Sequence, residues 1–337
     1  MNSTSLMREP EGLIPSGVAI AYAFGGFICA IALLTHSSWV LNGLGLVLLS
    51  SSFSIAAYLI HDCAHNTLFA KNEHHSILGE CLGWVTGSCY GTFAGIRRKH
   101  LRHHADRVDN VKFDYQVFLK QHLRLYKTVC VLEWCYVPAI DFIMHVFTIV
   151  APFTSARFRQ NRTRVVVCLL IRGSAFTFLF AYSPKALLLY VFAYIAFLHF
   201  LRFIDMTQHL YELVVLIGDE PVPGRAHRAD KVYEDAHTYS NPFPRALCWL
   251  NLLTLNFVYH NAHHTNPSVP WYRLPQLHDE LYDAGSERVL PLWNTLVNYH
   301  RGRVGRIFYE FSEREQSRFF EPTHIPGAHG LSFLTQL

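Results

Sequence analysis

Two apolar runs near the N-terminus constrain this chain more than any other feature. Leu13 to Leu34 is 22 residues without a charged side chain, and Trp39 to Ile60 is a second run of equal length. A helix needs about 20 such residues to cross the hydrocarbon core of a bilayer. Only Thr35-His36-Ser37-Ser38 separates the two, so they read as a transmembrane hairpin. Two further runs, Val165 to Tyr182 (interrupted by Arg172) and Ala186 to Ile204, flank Ser183-Pro184-Lys185. Four spans are therefore expected, at 13–34, 39–60, 165–182 and 186–204. The length of 337 residues would suit two soluble domains, but 51% hydrophobic against 16% charged residues favours the membrane reading. Segment 1–12 carries Arg8, Glu9 and Glu11 and lacks the basic flank and cleavage site of a secretory signal, so the first run is expected to be retained.

Four spans put both termini on one side. The first short loop has no Lys or Arg and the second only Lys185. The flanking segments hold nearly all the remaining basic residues, so they are expected in the cytoplasm, at a bacterial inner membrane or the ER. This predicts an all-α membrane protein with one domain over 13–337, whose helical cap, 61–164 and 205–337, lies on that side. Within the cap, Ile77 to Gly95 is apolar and Gly-rich with the acid Glu80, and reads as a shallow or re-entrant segment. Thr128 to Phe153 carries Glu133, Asp141 and His145. Charge without a partner is costly at bilayer depth, so this stretch reads as one or two interfacial helices. Leu247 to Tyr259 is read as amphipathic or interfacial, and Arg202 as reaching for headgroups. Arg97-Arg98-Lys99 reads as a solvated or headgroup-facing edge, with a substrate carboxylate or acyl-carrier contact as the alternative.

The net charge of +4, without a basic block or a Gly-rich phosphate loop, excludes a nucleic-acid or phosphate-loop function. The eight cysteines form no C-x-x-C pair and read as reduced thiols. Histidine carries the chemistry instead. His61-Asp62-Cys63-Ala64-His65, His100-Leu101-Arg102-His103-His104 and His260-Asn261-Ala262-His263-His264 are three clusters. On a helix, residues three and four apart share a face, so His61 with His65, His100 with His103 and His104, and His260 with His263 and His264 project together. Cys63 falls on the other face. Eight imidazoles are too many for one ion, since a zinc site normally takes four, and they fit two metals. Imidazole suits iron, zinc and copper. All three clusters fall on the predicted cytoplasmic side, which three or five spans would not allow.

Asp205 and His209 stand four apart after the fourth span, as His61 and His65 do after the second, so His209 is the ninth candidate ligand. Asp205 and Asp62 are candidate catalytic carboxylates. Asp205 would ligate a metal, hold a metal-bound water or orient an imidazole, and Asp62 would orient. His237 is a candidate for the periphery of the site, and Asn261 and Asn266 for hydrogen-bonding support. His74-His75 reads as surface and His36 as facing the far side. His122, His145, His199, His227, His278, His300, His324 and His329 read as isolated solvated or core residues.

An all-nitrogen two-metal site at a membrane surface suits iron and O2, because hydrolytic two-metal sites usually bring more carboxylates. A lipid chain offers unactivated C–H bonds beside such a site. Burying each CH2 of a tail contributes about 0.8 kcal/mol. The chain resembles the membrane fatty acid desaturase superfamily over roughly residues 13 to 290. The three histidine clusters and their order relative to four spans carry the resemblance. Asp205 to Tyr211 is similar to the family's Asn-x3-His-Leu-Tyr segment, with Asp205 where Asn would stand. His260 to Leu274 is similar to its H-x2-HH-x2-P stretch. The resemblance implies two Fe ions, O2 as co-substrate, and an external electron donor. The sequence holds no His-Pro-Gly-Gly of a fused cytochrome, so a ferredoxin or free b-type cytochrome is implied. The substrate implied is a long-chain fatty acid or acyl thioester. Desaturation is the first reading. Alkene-forming decarboxylation of a free fatty acid and hydroxylation or ketolation of a lipid such as a carotenoid are alternatives. A membrane metal-binding or transport protein is the distant one, for which more ionisable groups within the spans would be expected.

Overall fold

The computed structural model describes residues 5–111, 113–209, 211, 214–216, 227–283 and 286–305. The chain divides into two compact units, Met1–Ile96 with His145–His199, and Arg97–Met144 with Phe200–Gln336.

The first unit is built on α1 (Leu13–Thr35), α2 (Trp39–His65) and α3 (Asn72–Thr86). Its later part holds α8 (Arg162–Tyr182) and most of α9 (Pro184–Asp205). Among the described residues four helices are long and apolar enough to cross a membrane, Pro10–Thr35, Trp39–His65, Ala156–Tyr182 and Pro184–Asp205, as the hydropathy pattern predicts. A helix leaves its last carbonyls without partners. At the end of α1 the Asn42 side-chain amide donates to three of them in turn, Leu33 at 2.9 Å, Leu34 at 3.1 Å and His36 at 3.0 Å. Lys185 Nζ then donates to the His36 carbonyl (2.7 Å) and to Asn42 Oδ1 (2.8 Å). The two short loops therefore lie at one end of the unit, and α2 and α9 both start there.

Its interior uses small and polar side chains. Ser16, Ala23, Ala30 and Ser52 are wholly buried. Gly45 lets α1 and α2 approach, since a Cβ there would sit 2.9 Å from that of Leu33. Phe53 is the aromatic centre, with Tyr190, Tyr194 and Phe197 rings at 5.6, 5.6 and 5.3 Å. Large apolar side chains such as Ile14, Trp39, Val40 and Phe178 are exposed. An apolar exterior around a small-residue interior suits lipid, where packing rather than apolar burial drives helix association.

Two expectations change in this unit. His75 is not a surface residue. It is fully buried, and its Nε2 accepts from the backbone amides of Leu68 (3.1 Å) and Phe69 (2.9 Å). Arg172, the awkward charge of the third span, is accounted for. It donates to the Trp84 carbonyl (2.9 Å) at the end of α3 and lies over the Phe176 ring. Tyr194 donates to the neighbouring Thr86 carbonyl (3.2 Å), and Arg164 pairs with Glu80 (2.6 Å). The end of α3 thus lies beside the middle of α8. The chain reverses at Gly87, whose φ of 86° a side chain would strain.

The second unit contains α4 (Phe93–Asp106) from Arg97 on, α5 (Tyr115–Gln121), α6 (Leu123–Trp134), the start of α7 (Ala139–Thr154), α10 (Lys231–Ala236), α11 (His260–Thr265), α12 (Leu274–Leu281) and α13 (Leu292–Arg301). Among the described residues it is helical apart from one parallel pair of three-residue strands, β1 (Asp109–Val111) and β2 (Val214–Leu216), and isolated bridges. Tyr115, Leu119, Val129, Ala139, Ile140 and Met144 form an apolar core. The stretch 128–153 does form two helices, broken at Tyr136 with φ 61°. Arg202 does not reach for headgroups. It is buried, holds Glu133 through two bonds of 2.7 and 3.1 Å, and pairs with Asp141. Glu133 also accepts from the Ile140 amide (2.9 Å) in the first turn of α7, where helix N-H groups favour an anion. The 3₁₀ helix Arg245–Thr254 exposes Leu247, Trp249 and Leu252, the amphipathic character expected of it.

Candidate metal centre

Seven of the nine candidate ligands belong to the second unit. His100, His103 and His104 occupy the last two turns of α4, and His260, His263 and His264 occupy α11, so the helical reading of both clusters stands. Six residues alone do not make a stable helix. α11 is fixed from outside, by Ser240 Oγ accepting from the Asn261 amide (3.0 Å) and by Asn261 Nδ2 donating to the Arg288 carbonyl (3.2 Å). Asn261 thus positions backbone, and Asn266 accepts from the Ser268 hydroxyl (2.7 Å).

His209 arrives differently from the expectation. α9 ends at Asp205, so the spacing of four is not a helical turn. Asn241 Nδ2 takes the Ile204 carbonyl (2.9 Å) and Thr207 Oγ1 (3.0 Å). That stops the helix and delivers His209 to a backbone bridge opposite Thr238.

The imidazoles converge in two constellations. In one, His209 Nε2 lies 2.9 Å from His103 Nε2 and 2.6 Å from His260 Nε2, with the His264 ring 4.4 Å from that of His209. In the other, His104 Nε2 lies 3.1 Å from both His100 Nε2 and His263 Nε2. Two imidazole nitrogens bound side by side to one ion at about 2.1 Å are roughly 3 Å apart, so these separations are those of neighbouring ligands. Three of the opposite ring nitrogens meet protein groups, the arrangement common behind metal-ligating histidines. His103 Nδ1 faces the Val108 carbonyl (3.0 Å), His209 Nδ1 the Thr238 hydroxyl (3.4 Å) and His264 Nδ1 the Glu234 carboxylate (3.0 Å).

Burial, and then repulsion from neighbouring imidazoles, holds His209, His260 and His264 well below the usual histidine range. Burial takes His103 down to about 4, against the opposing pull of the Val108 carbonyl and with a smaller push from Lys99 and Arg107. Neutral imidazole is the ligating form. The donor set, its spacing and its protonation thus fit metal ions. Lys99 is itself buried, not part of a solvated edge.

In the first unit His61 and His65 form the last turn of α2, their rings 4.8 Å apart. That turn ends at Asn66 with φ 57°, and Asp62 Oδ1 accepts from Thr67 Oγ1 (2.7 Å). Several other histidines make local contacts. His145 bonds the Tyr194 hydroxyl (2.9 Å), and His122 the Phe118 carbonyl (2.8 Å). His237 bonds the Tyr233 carbonyl (2.7 Å) and stacks on that ring, which accounts for it without a ligating role. His227 stacks on the same ring, and His278 packs on Tyr259. His324 and His329 lie outside the described residues.

One residue was not anticipated. Glu234, in α10, is buried and reaches His264. The sequence offered only its neighbour His237 in this stretch, and the fold is what distinguishes Glu234. A cavity of about 400 Å³, lined in part by Lys231, Glu234, Asn261, His264 and Tyr282, opens beside it.

No curated relative matches the chain. The fatty acid desaturase family model matches residues 37–295. Four apolar helices of spanning length and buried histidine clusters with ligand spacing accompany that match, and the chain belongs to the fatty acid desaturase family.

Proposed function

We propose that this integral membrane protein is an O2-dependent di-iron oxidase of a long-chain fatty acyl substrate, and specifically a desaturase. The observation that carries the reading is the pair of imidazole constellations, with Nε2 atoms 2.6 to 3.1 Å apart, in a chain of this family. His103, His209, His260 and His264 would hold one ion. His100, His104 and His263 would contribute to the other, with His61 and His65 assigned to the metal centre from their sequence pattern. Bound iron with O2 supplies the oxidising power that an unactivated C–H bond demands.

The chain's own residues do the rest. Buried neutral imidazoles leave their Nε2 lone pairs available. Asp62 and Asp205 are the carboxylates assigned to orienting ligands or a bound water. Apolar spans receive the acyl tail, whose burial contributes about 0.8 kcal/mol per CH2. The balance is –CH2–CH2– plus O2, two electrons and two protons, giving –CH=CH– and two waters. The electrons come from a separate ferredoxin or b-type cytochrome. The centre and both termini are assigned to the cytoplasmic side from the distribution of Lys and Arg.

The test is product identity. Cells expressing the protein are supplied with saturated fatty acids and their lipids read by mass spectrometry, alongside metal analysis of purified protein. A new double bond with two irons per chain is the expected result. A terminal alkene one carbon shorter, or an oxygenated lipid, would replace desaturation by decarboxylation or hydroxylation. A zinc-only protein without any new product would overturn the oxidase.

A further inference from the structure

Glu234 is a carboxylate that the histidine pattern does not contain. Its side chain is 3% exposed and is shared between three groups. Oε1 lies 3.0 Å from His264 Nδ1, while Oε2 accepts from Arg107 (2.7 Å) and Lys231 (2.8 Å). Arg107 is as buried as Glu234, whereas Lys231 is exposed. The backbone of the same residue matters too. The Glu234 carbonyl accepts from Thr238 Oγ1 (2.6 Å), and that hydroxyl faces His209 Nδ1 (3.4 Å). One short helix thereby stands behind two imidazoles of one constellation.

We infer that Glu234 is a positioning residue of the metal centre, fixing the tautomer and ring direction of His264 so that Nε2 faces the ion. This rests on the metal reading proposed above. An ionised carboxylate only accepts hydrogen bonds, so His264 donates from Nδ1 and its proton is kept off Nε2. A carboxylate behind a ligating imidazole also raises the basicity of the ligating nitrogen. Arg107 and Lys231 confine the orientation, because both cations occupy Oε2 and leave Oε1 for the histidine.

That asymmetry makes Glu234→Gln an informative variant. It is isosteric and keeps an oxygen for buried Arg107, so the fold is expected to survive. The two cations claim the amide oxygen, and the amide NH2 is turned toward His264 Nδ1. The imidazole must then accept there and carry its proton on Nε2, the tautomer that cannot ligate. Apo protein in detergent is titrated anaerobically with Fe(II), with bound iron per chain and the Mössbauer spectrum as readouts, and His264→Ala as the reference for losing this ligand. E234Q is expected to melt near the wild type as apo protein. Its affinity for one of the two ions should fall about 10- to 100-fold, with the altered doublet being the one changed in H264A. Adding Arg107→Met and Lys231→Met to E234Q frees the amide to turn back, and part of the affinity should return.

Wild-type affinity and spectrum in E234Q would overturn the assignment. So would an apo protein so destabilised that both ions are lost together, which is the behaviour of a merely structural residue. A wild-type chain that takes up no iron would instead overturn the metal reading, and is recognised before any variant is made.

Discussion

The two units bury opposite things. The first turns Ile14, Trp39, Val40 and Phe178 outward and keeps Ser16, Ser52 and Asn42 within. The second buries Arg107, Glu133, Asp141, Arg202 and Glu234 with His100, His209, His260, His263 and His264. In the first, the solvent facing the helices is lipid, so polar atoms belong inside and bond locally, as Asn42 does with three carbonyls. In the second, charge is admitted only in partnership, Arg202 with Glu133 and Asp141, Arg107 with Glu234. A buried ion pair is weak support for stability, since desolvation offsets most of its attraction. Its retention here points to orientation, and Glu234 is the case in which the oriented group is a candidate ligand.

The sharpest break of this comparison sets histidine against histidine. His209 in the second unit converges with His103 and His260, whereas His145 in the first bonds the Tyr194 hydroxyl. His209→Ala is expected to remove product formation altogether, beyond the about 100-fold that losing a supporting residue costs. His145→Ala should leave turnover within a few-fold. Both should insert normally, checked by membrane-fraction yield. Equal activity in the two variants would dissolve the distinction. Next in size is Arg202→Met, which strands two buried carboxylates. Breaking a buried pair costs about 3–5 kcal/mol, read as a lowered unfolding temperature in detergent. Adding Glu133→Gln and Asp141→Asn should recover much of it, and no recovery would mean the charges were not the cause.

How legible each unit was in the sequence follows from the same difference. Spans are set by a single quantity, the length of uncharged apolar sequence, and all four were readable from it. The clusters at His100–His104 and His260–His264 were readable because candidate ligands three and four apart need only one helix. His209 was proposed through its spacing from Asp205, yet that helix ends at Asp205, where Asn241, 37 residues from Ile204, takes the Ile204 carbonyl. Glu234 and Arg107, at a separation of 127 residues, share no local pattern at all. Arg202 was misread because hydropathy sees a charge near a span end and not the partners brought to it by another helix. His75 was misread likewise, since its burial depends on the amides of Leu68 and Phe69 folding back over it.

Two smaller effects probe the first unit. Arg172→Leu removes the charged donor from the Trp84 carbonyl. A hydrogen bond to a charged group contributes about 1.5–3 kcal/mol, and the loss should appear as reduced thermal stability with insertion unchanged. An unaltered melting temperature would argue against α3 being held beside the middle of α8.

Asn42→Ala should cost less, about 1 kcal/mol, although it deletes more bonds. The reason is where they lie. The carbonyls of Leu33 and His36 lie in partly buried bonds at the end of α1, beside exposed His36 and Ser37, where water can replace the amide once it is gone. The Trp84 carbonyl faces a helix whose outer surface is apolar, where no such replacement is at hand. If Asn42→Ala instead proved as damaging as Arg172→Leu, the hairpin loop would have to be out of reach of water. The assignment of that end of α1 and α2 to a membrane surface would then fail.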